Sequence, residues 1–143
     1  MSRWWLCLFL LLAACEDDPD EYEAPTCELL DNDNFEPSEK AETTTGGIAY
    51  HAWVADRVAS STHTFVLTSG SARVTLSGHL MLGVAEAQLF DGAGEPVHRS
   101  ALWPGGFENE SAEVTGASGT WHLEVRHSYT CGQVTVDVRP LAQ

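Results

Sequence analysis

From Ile48 onward, apolar and polar residues alternate with a period of two. In the run Thr120 to Arg126, Trp121, Leu123 and Val125 face one way, while His122, Glu124 and Arg126 face the other. Gln133 to Arg139 repeats the design with Val134, Val136 and Val138, and Ala72, Val74 and Leu76 do so around Arg73 and Thr75. Strict alternation marks antiparallel strands with one face in a core and the other in water. Further strands are predicted at residues 48–54, 64–68, 80–83, 85–90, 96–100 and 111–114. Turn residues punctuate them at Ser69-Gly70, Asp91-Gly92-Ala93-Gly94, Pro104-Gly105-Gly106 and Gly116-Ala117-Ser118-Gly119. No amphipathic helix longer than two turns is visible. The expected fold of residues 46–143 is therefore all-β, a single antiparallel jelly-roll-like β-sandwich.

Upstream the pattern is different. Arg3 precedes an unbroken apolar run of 11 residues, Trp4 to Ala14, whereas a spanning helix needs about 20. A positive start, a short apolar core and small residues at its end are the marks of a signal peptide, here residues 1–14. Leu12-Ala13-Ala14-Cys15 resembles the bacterial lipobox. That resemblance implies cleavage before Cys15, lipidation of its thiol, and a membrane as partner on the extracytoplasmic side of the cell envelope. Paired acyl chains hold firmly where one is marginal. The remaining 129 residues suffice for one domain.

Residues 16–45 carry 12 Asp or Glu against the single Lys40, whereas residues 46–143 carry 9 acidic and 5 basic residues. Dense like charge with few apolar residues predicts a disordered acidic tether over residues 15–45. Asp31, Asp33 and Glu42 stand at the first, third and twelfth places of a calcium-loop spacing, but Phe35 and Glu36 break it and Pro37 follows. No metal site is assigned. With a net charge of −14 and no basic patch, the chain excludes nucleic acid as a partner.

Of the four cysteines, Cys7 leaves with the signal peptide and Cys15 takes lipid, which leaves Cys27 and Cys131. In an oxidising compartment the expected use of the pair is a disulfide, with two unpaired thiols as the alternative. A bridge closing a loop of about 100 residues is worth up to ~4–5 kcal/mol on the chain-entropy model. It would shorten the free leash to residues 16–26, whose reach is at most ~40 Å.

Thr64-Phe65-Val66-Leu67, Ser71 to Leu76 and Ala87 to Val97 resemble the opening strands of bacterial pre-peptidase C-terminal domains. Gly116-Ala117-Ser118-Gly119-Thr120-Trp121-His122-Leu123-Glu124-Val125 is similar to that family's Gly-Thr-Trp strand, which also occurs in the P domains beside subtilisin-like proteases. The resemblance covers residues 62–138 and implies a non-catalytic sandwich of the kind attached to an enzyme. His63 and Ala85-Glu86-Ala87 stand where family members often have acidic residues, so no calcium site is carried over.

No Gly-x-Ser-x-Gly elbow is present, and no local spacing assembles a Ser/His/Asp set, so neither catalytic residues nor a cofactor are assigned. His122 and Glu124 share an outward strand face with His127 just beyond, and read as solvated surface. His51, His63, His79 and His98 lie near strand ends or turns and are expected to be exposed. The most suggestive segment is Leu102-Trp103-Pro104-Gly105-Gly106-Phe107. Trp103 and Phe107 either form an exposed ligand-binding loop or fold inward and plug one end of the sandwich. The functional expectation is a membrane-anchored, non-catalytic binding or accessory module for an envelope protein or glycan. A structural or inhibitory lipoprotein without a ligand pocket is the alternative, and a small hydrolase would need a nucleophile beside a base.

Overall fold

A computed structural model describes residues 26–27, 35–106 and 109–142. Residues 1–14, Cys15, Asp31, Asp33 and Phe107, with the expectations that fall on them, lie outside these. The described residues form six strands and no helix: β1 (Ser38–Thr44), β2 (Gly47–Leu67), β3 (Ser71–Phe90), β4 (Pro96–Leu102), β5 (Asn109–Thr115) and β6 (Gly119–Pro140). All pairings are antiparallel, in the order β1-β2-β6-β3-β4, with β5 also on β3.

Segments predicted as separate strands are joined: β2, β3 and β6 run for 21, 20 and 22 residues. Straight, such a strand would span about 70 Å, against a radius of gyration of about 13 Å for a 100-residue domain. Each must bend, and the bends line up. Register shifts fall between Val54 and Ala59 on β2 and between Leu80 and Val84 on β3. Left-handed backbone occurs there at Asp56 (φ 48°), Gly83 (φ 75°) and Tyr129 (φ 51°). A Cβ on Gly83 would sit 2.2 Å from the Tyr129 carbonyl oxygen, so that crossing requires glycine.

The bends also change which residues face inward, as bulges do. On β2 the buried set moves from Ile48, Tyr50, Ala52 and Val54 to Phe65 and Leu67. On β6 it moves from Trp121, Leu123 and Val125 to Val134, Val136 and Val138. One sheet thus folds over on itself, and its two halves close on a single core that holds Trp121, Tyr50, Leu76 and Leu89. The product is the expected all-β sandwich.

Two features secure its ends. Asp91, buried in the β3–β4 turn, accepts backbone N–H bonds from Ala117 (2.7 Å), Ala93 (2.9 Å) and Glu95 (3.0 Å). These amides, Ala117 foremost, hold its carboxyl below the ordinary aspartate range. Cys27 and Cys131 are joined in a buried disulfide with Cα atoms 5.7 Å apart, beside the bend where Cys131 opposes Leu82.

The ordered domain begins earlier than composition indicates. Residues Ser38–Thr44, assigned above to the tether, are strand β1, and all seven pair with β2. Charge density argues for disorder only where the charges lack partners. Glu39 has Arg57 and Tyr50 as bonded partners and His63 Nε2 at 4.0 Å.

Candidate functional site

Trp103 is 46% exposed and does not plug the sandwich. Its carbonyl accepts the Gly106 N–H (2.8 Å), and Gly105 at φ 69° completes a turn with Pro104 before it. Proline followed by a positive-φ glycine is the type II arrangement. The His122–Glu124 pair is occupied: the His122 ring stacks on Phe90 (centroids 4.4 Å, planes 10° apart), and Glu124 accepts from Arg126 and Ser60. His127 points the other way, into the core. Among the remaining histidines, His51 and His79 are exposed as expected, while His63 and His98 are half-buried because their neighbours close over them. Burial holds His98 below the ordinary histidine range despite Glu110.

A polar cluster fastens β1 and β6 to β2 near the bend. The Tyr50 hydroxyl donates to Glu39 (3.2 Å) and contacts His127 Nε2 (2.9 Å), while Arg57 ion-pairs with Glu39. Tyr50 and His127 are closed off from solvent at 0% and 2% exposure. Burial, reinforced by Glu39, pushes the Tyr50 hydroxyl far above its ordinary range, so it keeps its proton. Burial and the Arg57 charge hold His127 below the ordinary histidine range, which Glu39 only partly opposes. Burial alone would raise Glu39, but Ser61, Arg57 and Tyr50 together bring it below its usual range.

Within this cluster Ser61 Oγ lies 3.2 Å from His63 Nε2, the nucleophile-and-base pair a hydrolase would need. The nearest carboxylate, Glu39 Oε1, stands 4.0 Å from that same Nε2. A relay needs serine and acid on opposite ring nitrogens, with the acid fixing the tautomer. Here both crowd one nitrogen.

A second surface carries its polar side chains in ordered rows. On the outer face of the half-sheet formed by β1, β5 and the adjoining halves of β2, β6 and β3, the register lays residues in rows. Trp53 stands opposite Gln133, and Gln133 opposite His79. The next row is His51, Thr135, Ser77 and Asn109, followed by Ala49, Asp137, Thr75 and Ser111. The last is Arg139, Arg73 and Glu113. A shallow groove of about 350 Å³ runs over Arg73, Thr75, Ser77, Thr135, Asp137 and Arg139. Thr135 is bonded to His51 Nδ1 (3.0 Å) and Thr75 to Ser111 (3.3 Å). Trp53, at the head of the face, is 47% exposed, with Phe35 against it edge-on at 5.7 Å.

Sequence reasoning passed over Trp53, although a signal was present. Tyr50, Ala52 and Val54 claim the inward positions of that strand, so the intervening Trp53 has to face water.

No family model matches this chain, and no curated protein matches it in sequence. Among solved structures it is loosely similar to a carbohydrate-binding module from Cellvibrio mixtus lichenase 5A, in complex with cellotriose. The identity is 13%, over 74% of this chain and 88% of that one, with a TM-score of 0.45. TmCBM61, in complex with β-1,4-galactotriose, is 19% identical over 66% of this chain and 71% of its own, with a TM-score of 0.43. A CBM4 structure is 5% identical over 73% and 78%, also at 0.43. At these scores the likeness lies in general shape and transfers no residue of the face described above.

Proposed function

We propose that the chain is a lipoprotein of the bacterial cell envelope, anchored through Cys15 on the extracytoplasmic side, whose sandwich is a non-catalytic glycan-binding module. The observation that carries the reading is the half-exposed Trp53 heading a face lined with hydroxyl, amide and paired charged groups. A sugar ring offers an apolar C–H face and a rim of hydroxyls. The first suits an open indole, and the second suits rows of Gln, Thr, Ser and Asp. The Leu12-Ala13-Ala14-Cys15 motif supports the anchor, and the one-nitrogen geometry of Ser61, His63 and Glu39 supports a binding rather than hydrolytic role.

Affinity electrophoresis of the full chain through gels containing envelope polysaccharides tests the binding. Retardation by at least one glycan, lost in Trp53→Ala, is expected; no retardation in any gel would refute the reading. Anchoring has a separate test. Cys15→Ser should abolish metabolic labelling by fatty acid, and persistence of the label would refute lipidation at that residue.

A further inference from the structure

Building on the reading of the Trp53 face as a glycan site, we infer that its ligand is an uncharged oligosaccharide, stacked on Trp53 at one end and held by a vicinal diol at Arg139–Asp137 at the other. The argument begins with the two arginines of the groove. Arg73 and Arg139 stand directly opposite each other on neighbouring strands, a placement that repels unless both charges are met. Both are. Arg73 Nη2 donates to Glu113 (2.6 Å), while Arg139 donates to Asp137 through Nε (2.9 Å) and Nη2 (2.6 Å). The groove end is therefore a quartet of two cations and two anions with no net charge.

A polyanionic ligand would have to displace those carboxylates and approach a chain of net charge −14. A neutral one meets no such barrier. The two-point Arg139–Asp137 pair leaves guanidinium N–H donors and carboxylate lone pairs side by side. Adjacent hydroxyls, each both donor and acceptor, match that arrangement. The distance sets the size. From Gln133, beside Trp53, to Arg139 is six residues along β6, or ~20 Å of strand. One sugar ring cannot touch both ends, whereas a short chain crossing Thr135 can.

The test is titration calorimetry of the full chain with neutral hexose oligosaccharides of one to six units and with length-matched oligouronates. Affinity should rise with length and level off once both ends are engaged, with little change between low and high salt, and the oligouronates should bind at least tenfold more weakly. Asp137→Asn, which keeps the shape of the pair but loses its charge, and Trp53→Ala should each weaken the longest oligosaccharide about tenfold. Circular dichroism should show both variants folded. Oligouronates bound as well as or better than neutral chains would overturn the inference and leave the glycan reading standing. Equal affinity for one unit and six would also overturn it. Binding of neither class would remove the glycan reading itself.

Discussion

The two outer faces of the folded sheet come from the same three long strands, yet they end differently. On the half-sheet that carries β4, the outward aromatic, Phe90, is covered by His122 at 4.4 Å and nearly parallel. Its charges are paired as Arg126–Glu124 and Arg99–Glu86. On the half-sheet that carries β1 and β5, the outward aromatic, Trp53, meets Phe35 edge-on among the described residues and keeps 47% of its surface open. Both faces are polar, and both are laced with ion pairs. Polarity therefore does not distinguish the two faces; among the described residues the difference is an aromatic that is stacked on one and largely open on the other, beside Thr135 and Thr75.

Removing the support beneath both faces should have the largest effect. Trp121 is fully buried and donates its indole N–H to the Ala117 carbonyl (2.7 Å). Trp121→Ala should cost about 3–5 kcal/mol in urea unfolding and degrade both faces together. The faces separate in the next pair of variants. Phe90→Ala should lower stability by about 1 kcal/mol through its lost stack and leave glycan retardation unchanged. Trp53→Ala should do the reverse, with a small stability change and loss of retardation.

Smaller again is a pH effect placed at the bend rather than on either face. His127 is held below the ordinary histidine value of 6.5 by burial and Arg57. The unfolded chain therefore takes a proton near pH 6.5 that the folded chain refuses, so stability should fall as pH drops from above 6.5 toward the folded value. His98 is shifted in the same direction and adds to the loss. Glu39, also lowered, enters only below its ordinary value of 4.5. Urea unfolding at pH 7.5 and 5.5 should show the loss, and His127→Gln should reduce it. The smallest effect is expected from Arg126→Ala on the covered face: within about 0.5 kcal/mol in stability, because its pair is exposed, and none in glycan retardation.

Much of the sandwich was legible because strand alternation is local. Trp121, Leu123 and Val125, and Val134, Val136 and Val138, are buried as their spacing requires. The bends were not legible. A bulge at Asp56, Gly83 and Tyr129 is decided by three strands meeting, and no single window of sequence contains all three. Strand β1 was hidden for a related reason, since Glu39 is stabilised by Arg57 and Tyr50 from the following strand. The aromatic loop drew attention through its unusual composition, and Trp103 is indeed open. Trp53 sits in an ordinary strand, and its setting depends on Gln133 and His79 from two others.

The Cys27–Cys131 bond also decides how the molecule carries force. For a chain held at Cys15, as proposed, tension from a bound glycan does not run the length of the polypeptide. It passes from Cys27 across the sulfurs into the middle of β6, the strand paired on both sides by β2 and β3. Strand β1, which follows Cys27 in the chain and among the described strands pairs with β2 alone, is bypassed and bears none of the load. That edge strand thus lies outside the path of the load, and a pull first meets the longest hydrogen-bonded ladders in the domain, those of β6 with β2 and β3.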